Sequence, residues 1–198
     1  MRLIYVFLMS LFLVACGGTI QVSTDTEPSV PTSFGNKLIV VSTGKGLNRY
    51  GRDIQETLGN VLEPYLNKTL PFKVLLLEPG RVTNPFSSWG SIRGEKTLRG
   101  KIRAEIRFGY SPDALKSLKY IEATSGRFNQ VLYLTDNGNI PSDPSEIRSR
   151  DVPKFLRNIQ LTVLTTGSCR VWTSKVDAKC QQLYSKADIE NGLRKFLN

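Results

Sequence analysis

The chain of 198 residues carries 27 Lys and Arg against 17 Asp and Glu, contains three cysteines and lacks histidine. With 40% hydrophobic and 22% charged residues, its composition is that of a globular protein, which excludes a collagen, a coiled coil and a wholly disordered chain. The absence of histidine excludes a Ser-His-Asp triad, a Cys-His pair, a histidine general base and a histidine-ligated metal.

The first sixteen residues have the pattern of an export signal. Arg2 precedes an apolar stretch from Leu3 to Ala15 that only Ser10 interrupts. A helix of this length spans on the order of 20 Å, too short for the hydrocarbon core of a bilayer at ~30 Å but typical of a secretory signal. The stretch ends in LVAC, which resembles the bacterial lipobox, in which the cysteine, here Cys16, receives a diacylglycerol and becomes the first residue after cleavage.

The lipobox resemblance implies that residues 1–15 are a removable signal peptide and that Cys16 carries acyl chains such as palmitate. The protein is then anchored to a membrane and does not span it. A plain signal peptide with a chance cysteine, or an uncleaved N-terminal anchor, is the alternative. Because Gly17 follows the cysteine where an Asp would signal inner-membrane retention, the resemblance favours the outer membrane, with the domain facing the periplasm, in a host that has two membranes.

Residues 16–36 are rich in Gly, Ser, Thr and Pro and show no hydrophobic periodicity, which predicts a flexible tether. A tether of this length has a root-mean-square span of roughly 25 Å. The folded domain is therefore predicted to begin at residue 37 and to be able to stand off the lipid surface.

The chain is strongly basic. Removing residues 1–15 removes one base, Arg2, and no acid, so the remaining chain carries 26 basic against 17 acidic residues, a net charge of +9. Such a charge attracts anionic partners, among them phospholipid headgroups, lipopolysaccharide and nucleic acid. The densest basic run, residues 93–107, lacks interleaved aromatic residues on which bases would stack, and we interpret it as a solvated face.

Apolar runs alternate with amphipathic ones over residues 37–198. Buried strands are predicted at 37–41, 72–77, 131–134 and 159–166, and helices at 52–66, 111–126, 152–158 and 187–197. Residues 81–100 are predicted to form a loop, and residues 101–108, whose apolar side chains alternate strictly, a half-exposed edge strand. Ser111 and Pro112 are predicted as N-cap and first residue of their helix. This order predicts an α/β fold, a three-layer α/β/α sandwich with a mainly parallel sheet and one antiparallel edge strand.

Three stretches, residues 38–46, 111–137 and 159–167, resemble in their order the von Willebrand factor type A domain. The first is a buried strand that empties into a Ser/Gly-rich turn, and the second ends in VLYLTDNG, close to the family's strand ending in Thr-Asp-Gly. The resemblance makes residues 101–108 the antiparallel edge. A flavodoxin-like three-layer fold is the alternative.

The family's adhesion site holds Mg²⁺ through an Asp-x-Ser-x-Ser turn, a Thr on a second loop and an Asp after the fourth strand. The aligned turn here reads Ser42-Thr43-Gly44-Lys45-Gly46, so Asp136 alone offers a carboxylate, and Lys45 adds a positive charge. A hard cation needs several oxygen ligands. We therefore expect no metal and no cofactor at this place, and a pairing of Lys45 with Asp136 is a hypothesis for what replaces the ion.

The same loops are the candidate binding residues. Ser42, Thr43 and Lys45 follow one predicted parallel strand, and Thr135 and Asp136 follow another, so they should converge beyond the carboxyl ends of the strands, where such sheets bind ligands. The alternative is that these side chains only satisfy backbone groups at the strand ends. The glycine spacing does not match a Walker A phosphate loop.

Cys169 and Cys180 form an even pair once Cys16 is assigned to the lipid, and an even pair in an exported protein predicts a disulfide. Closing so short a loop stabilises the fold by roughly 3 kcal/mol in the chain-entropy description. Trp172 inside the loop is either a packing anchor or an exposed contact residue.

These observations favour a membrane-anchored, non-enzymatic docking module that binds a protein partner in an envelope assembly such as a secretion, conjugation or pilus apparatus. The alternative is a basic envelope protein that binds an anionic polymer, either nucleic acid or lipopolysaccharide. A hydrolase is the third class, but no constellation of residues supports one. No small-molecule substrate is predicted.

Overall fold

A mainly parallel sheet forms where the apolar runs predict strands. The computed structural model describes residues 36–122 and 128–198, and within these ranges the sheet has six strands in the order β3-β2-β1-β4-β5-β6. The strands are β1 (Lys37–Ser42), β2 (Phe72–Glu78), β3 (Arg81–Thr83), β4 (Gln130–Thr135), β5 (Gln160–Thr165) and β6 (Lys179–Gln182). Every neighbouring pair is parallel except β2 and β3, which are antiparallel.

Helices lie in the crossovers between parallel strands, and the crossover from β4 to β5 contains the 3-10 helices Pro144–Glu146 and Lys154–Asn158. The α-helices are α1 (Gly51–Leu62), α2 (Glu95–Glu105), α3 (Ala114–Glu122), α4 (Arg170–Lys175) and α5 (Lys186–Leu197). The helix predicted over residues 52–66 ends its α-helical part at Leu62 and continues as a 3-10 turn at Glu63–Tyr65, because Pro64 cannot supply the next helical hydrogen bond. The helix predicted over residues 152–158 is a 3-10 helix, Lys154–Asn158.

Two hydrophobic cores lie on the two faces of the sheet. Ile39 and Val41 of β1 point into the core under α1, α2 and α5, and Leu38 and Val40 point into the core under α3 and α4. All four side chains are fully buried, since a central parallel strand is covered on both faces. The predicted three-layer α/β/α sandwich is therefore confirmed.

The strand predicted over residues 101–108 is wrong, and the loop predicted over residues 81–100 is wrong at both of its ends. The chain instead forms the short strand β3, which is the antiparallel edge, and then helix α2. Leu98 and Ile102, one helical turn apart, are buried on the inner side of α2, and Ala104 is exposed. The apolar residues of this segment satisfy the helical spacing as well as the alternating one.

The start of α3 also differs from the prediction. The helix begins at Ala114, and the Asp113 carboxylate accepts a hydrogen bond from the backbone N–H of Lys116 at 2.9 Å, so Asp113 occupies the capping position predicted for Ser111. Ser111 is thereby free to bond elsewhere. The predicted end of this helix at Gly126, the signal peptide, Cys16 and all but the last residue of the tether lie outside the described residues.

The amino ends and the carboxyl ends of the parallel strands lie on opposite sides of the domain. We call these two sides edges, and they are distinct from the edge strands β3 and β6. The backbone N–H groups of Asn129 and Gln130 donate to the carbonyl of Asn36, so the chain enters at the amino ends of the strands, which we call the tether edge. The carboxyl ends lie about 20 Å away, at the far end of the six-residue β1. No helix within the described ranges has the length and apolarity that a membrane crossing requires.

Candidate functional site

The carboxyl ends of β1, β4 and β5 come together at one edge of the sheet, which we call the docking edge. Ser42 ends β1 and is paired in register with Leu77 of β2, and Thr135 ends β4 opposite Thr165 of β5. The hydroxyl side chains of Ser42, Thr135 and Thr165 are buried there. The predicted convergence of the loops is therefore observed.

Asp136 is the centre of this edge. One carboxylate oxygen accepts from the backbone N–H of Gly46 at 2.8 Å and from the Ser111 hydroxyl at 2.5 Å. The other accepts from the backbone N–H of Gly138 at 3.3 Å. Three donors from three separate segments thus hold one side chain, which fixes the loop after β1 and the segment before α3 to the loop after β4.

The glycines of the first turn allow this close approach. A Cβ atom on Gly44 would overlap the Asp136 carboxylate, and one on Gly46 would lie 2.7 Å from the Cβ of Asp136. These are separations that real Cβ atoms do not adopt. Gly44 and Gly46 are therefore required by the position of the carboxylate.

Lys45 contributes its backbone more than its side chain. Its N–H donates to the Ser111 hydroxyl at 3.1 Å, while its side chain is exposed. The ion pairs found within residues 36–122 and 128–198 do not include Lys45, so the hypothesised pairing with Asp136 is wrong, and backbone N–H groups replace it. Thr43 is likewise committed, since its hydroxyl donates to the carbonyl of Leu77 at 3.1 Å.

The donor set does not fit the divalent cation that the family's adhesion site holds. Both oxygens of Asp136 accept N–H or O–H donors, and Ser42 Oγ accepts the N–H of Gly44 at 3.2 Å. A cation would have to displace these donors with a single carboxylate to offset its dehydration. No group of three or more His, Cys, Asp or Glu side chains with metal-site spacing occurs in the described part of the chain.

Asn137 links the docking edge to the segment after β5. Its side-chain oxygen accepts from the Thr165 hydroxyl at 2.8 Å and from the indole N–H of Trp172 at 2.7 Å, and its amide N–H donates to the carbonyl of Ser168 at 2.7 Å. Its backbone has φ of 59°, in the left-handed region where Asn is tolerated better than most residues. Every polar atom of this side chain is therefore used to hold two loops together.

The predicted disulfide is confirmed: Cys169 and Cys180 are bonded, with an S–S distance of 2.06 Å and Cα atoms 5.6 Å apart. The closed loop contains α4 and the first residues of β6, neither of which was predicted. Trp172 on α4 is fully buried and packs edge-on against Tyr133, with ring centroids 5.8 Å apart. Trp172 is therefore a packing anchor and is not an exposed contact residue.

Two tyrosines project from the docking edge. Among the described residues, the large hydrophobic side chains that are exposed are Tyr110, at 83%, and Tyr184, at 74%. Tyr110 lies between Gly109, whose N–H donates to the carbonyl of Thr43, and Ser111, which binds Asp136. Tyr184 follows the last strand.

Sequence reasoning missed Ser111 and both tyrosines as site residues. Ser111 was assigned to a helix cap, and an isolated Tyr in a loop carries no pattern that separates an exposed ring from a packed one. The only signal for Tyr110 was its position beside Ser111 in a short polar segment between two amphipathic ones.

Comparison with known proteins gives a fold and no family. No protein-family model matches the sequence, and no curated protein matches it significantly. Two crystal forms of proximal thread matrix protein 1 from the mussel byssus are similar in structure. One has a TM-score of 0.54 at 11% identity over 83% of this chain, and the other a TM-score of 0.53 at 10% identity over the same share. The chain spans about half of those proteins, 46% and 48% of their lengths.

The fold is von Willebrand factor type A-like. At 10 to 11% identity the similarity concerns the arrangement of strands and helices alone. It leaves the chemistry of the docking edge to be argued from this chain's own residues.

Proposed function

We propose that this protein is a lipid-anchored component of the bacterial cell envelope and that its folded part is a non-enzymatic docking module for another envelope protein. The anchor is Cys16, exposed by removal of residues 1–15. The docking surface is the docking edge of the sheet. A secretion, conjugation or pilus apparatus is the kind of assembly in which such a module serves.

The observation that carries this proposal is the exposure of Tyr110 and Tyr184 at the docking edge. Tyr110 lies beside the carboxyl end of β1, and Tyr184 follows Leu183, whose N–H donates to the carbonyl of Thr165 at the end of β5. The Asp136 loop, after β4, lies between them in the order of the sheet. Tyrosine is enriched among the residues that dominate binding energy at protein interfaces.

The rigidity of the edge supports the same role. The Asp136 and Asn137 hydrogen bonds hold the loops in one arrangement, so a partner would meet a surface whose ordering entropy is already lost. The exposed side chains of Lys45 and Arg49 make this surface positive, and Arg49 lies over the ring of Tyr50, 4.8 Å from its centroid. An acidic face on the partner protein would complement it.

The engagement of Asp136 favours docking over hydrolysis. A general base must present a free lone pair to the proton it removes. Asp136 instead accepts three hydrogen bonds from Gly46, Ser111 and Gly138. Three of the four lone-pair positions of the carboxylate are thus occupied, which makes Asp136 a poor general base and favours recognition over hydrolysis.

The lipid anchor is tested with Cys16→Ser in cells fed a labelled palmitate. We expect the parent protein to incorporate the label and to stay in the membrane fraction after a high-salt wash. The variant should lose the label, because no other thiol lies at the end of the export signal. A processed, unlabelled variant that stays in the membrane after that wash would overturn the anchor.

The docking edge is tested by crosslinking in intact cells, with a photoreactive residue at position 110 and, as control, at position 96, which is exposed on α2. Position 110 should capture one envelope protein that position 96 does not. Tyr110→Ala and Tyr184→Ala should each weaken binding of that protein at least tenfold, because each removes an interface-type side chain without opening the core. Lys96→Ala should leave binding unchanged. Equal capture at both positions would contradict the proposal.

Because no bridging cation is expected, the same binding assay provides a second test. Binding should be insensitive to EDTA and should be lost in Asp136→Ala. Loss of binding on chelation would mean that a metal takes part in docking.

The net charge, +9 once residues 1–15 are removed, supports a second candidate function, the binding of an anionic polymer such as nucleic acid or lipopolysaccharide. Salt separates the two. Affinity for a polyanion falls steeply and linearly on a logarithmic salt axis, because counterions are released on binding, whereas a docking interface between proteins responds much less. A steep slope together with no effect of Tyr110→Ala would favour the polymer.

A further inference from the structure

The tether edge, opposite the docking edge, carries two clefts lined by cations. The first has a volume of about 320 Å³ and lies between residues 147–159 and the turn from α4 to β6. Arg148, Arg157 and Lys175 line it, and Asp177 is its acidic residue. Its floor is apolar, formed by buried side chains that include Val176.

The second cleft has a volume of about 340 Å³ and lies on the other side of the β5 and β6 ends. Lys37, Lys179 and Lys195 line it together with Phe196 and the carboxyl-terminal Asn198. The Lys37 ammonium donates to the carbonyl of Leu197 at 2.8 Å and lies 5.8 Å from the centroid of the Phe196 ring. This cleft therefore also combines positive charge with apolar surface.

None of these six cations forms an ion pair with an acidic side chain within the described ranges, although Lys175 lies close enough to Asp143 to help lower its pKa. The ion pairs within the described ranges involve other basic residues, at positions 81, 99, 101, 116 and 186. Against six positive side chains, the lining of the two clefts includes one acidic side chain, Asp177. What distinguishes this edge is that six cations line two neighbouring clefts together with apolar surface.

We infer that the tether edge binds the headgroups of anionic phospholipids. The occupant is argued from position: the chain that follows Cys16 enters the domain at Asn36, on this edge, and a tether with a span of roughly 25 Å keeps it near the bilayer surface. This step rests on the lipid anchor of the proposed function. The phosphates would meet the cations, and the apolar floors would take the glycerol and first methylene groups.

The same edge is poorly suited to nucleic acid. Binding of single strands relies on exposed aromatic rings on which bases stack. The exposed tyrosines of the described residues, Tyr110 and Tyr184, belong to the docking edge. Six cations beside one partly buried ring, Phe196, fit a layer of lipid headgroups, which attracts Lys and Arg by its surface potential alone.

The test presents full-length protein to vesicles of phosphatidylcholine, with or without phosphatidylglycerol, and measures the acetylation rate of individual lysines by mass spectrometry. Phosphatidylglycerol should slow the acetylation of Lys175 and Lys179, and high salt should restore it. Lys45, at the docking edge, and Lys96, on α2, should react at the same rate on both kinds of vesicle. Insertion of residues 1–16, which Arg2 favours on anionic vesicles, brings the whole domain to the surface, and the rates of Lys45 and Lys96 control for it.

A pair of variants with equal net charge locates the effect. The variant with Arg148, Arg157 and Lys195 all changed to Gln should need about 100-fold more anionic lipid to protect Lys179, at on the order of fivefold per basic residue near the surface. The control removes as many exposed cations from the region of α2, with Arg93, Lys96 and Arg103 changed to Gln, and should retain protection.

Each other outcome overturns the inference. Equal acetylation rates of Lys179 on both kinds of vesicle would show that this edge does not bind anionic lipid. Equal loss of protection in both variants would show that net charge alone, and not this edge, causes the effect. Protection of Lys179 by an oligonucleotide but not by phosphatidylglycerol assigns the edge to nucleic acid. Failure of Cys16 to take up palmitate would remove the anchor alone, because the vesicle assay does not depend on acylation.

Discussion

Replacing Asn137 with Ala should destabilise the domain far more than the same change at Asn139, two residues on. Both residues have left-handed backbones, with φ of 59° and 57°, so the strain that Ala introduces there is common to both variants. Asn139 is exposed and has no side-chain hydrogen bond within the described residues, whereas the Asn137 side chain makes three. The difference between the variants isolates those three bonds.

The magnitude follows from which partners are buried. Trp172 and Thr165 are fully buried, so truncation leaves their indole N–H and hydroxyl without a protein acceptor, at roughly 1–3 kcal/mol each. Ser168 is exposed, and its carbonyl can bind water instead. We therefore expect Asn137→Ala to be about 3 kcal/mol less stable than Asn139→Ala, a melting temperature lower by roughly 6–12 °C.

Urea denaturation followed by tryptophan fluorescence measures this difference, with the disulfide kept oxidised in both variants. Equal free energies of unfolding, within the usual error of such fits, would refute the reasoning. They would mean that the hydrogen bonds of the Asn137 side chain do not contribute to the stability of the loop arrangement.

Three other predictions concern the disulfide, the docking edge and the acid limb of stability. Changing both cysteines of the Cys169–Cys180 bridge to Ser should lower the free energy of unfolding by roughly 3 kcal/mol, and an unchanged melting temperature would contradict that. Gly44→Ala should destabilise the fold by about 1–3 kcal/mol, because its Cβ would overlap the Asp136 carboxylate, whereas Gly90→Ala, which meets nothing within 4 Å, should be neutral in the same thermal melt. The pKa of Asp188 is lowered from its ordinary value by hydrogen bonds from the backbone N–H of Tyr184 and then from the Ser185 hydroxyl. Its stabilisation is therefore present above the pKa of the unfolded chain and disappears as the pH falls through the lower pKa of the folded state. Asp188→Asn should therefore lose less stability than the parent on acidification below pH ~4, and parallel acid titration curves would count against this capping role.

The central strands were predictable because a parallel strand buried on both faces leaves a continuous apolar run in the sequence. Residues 101–108 show where such reasoning fails. Ile102, Ala104 and Ile106 alternate, but Leu98, Ile102 and Ile106 are also spaced four apart, and tertiary packing selects the helical set. The strand β6 escaped prediction because its sequence, KCQQ, is polar and half exposed at the sheet edge.

The position of the site was predictable from the sequence, but the hydrogen-bond partners of its side chains were not. Strand order alone brings Ser42 and Asp136 to one edge. Ser111 is available to Asp136 because Asp113, and not Ser111, caps α3. Local sequence does not decide between the two, because Ser and Asp are both good N-cap residues. The bond from Trp172 to Asn137 joins positions 35 residues apart, through a helix that local sequence did not predict.

The position of Asn36 has a mechanical consequence. A partner held at the docking edge and an anchor that pulls at Asn36 would load the domain from opposite ends of β1. This strand lies between β2 and β4 and is parallel to both. A pull along β1 shears the hydrogen bonds to both neighbours. All of these bonds are loaded together, because in a parallel pair they are evenly spaced along the strand. The load would then be shared by the whole length of the most buried strand, and the ladder would not open one bond at a time.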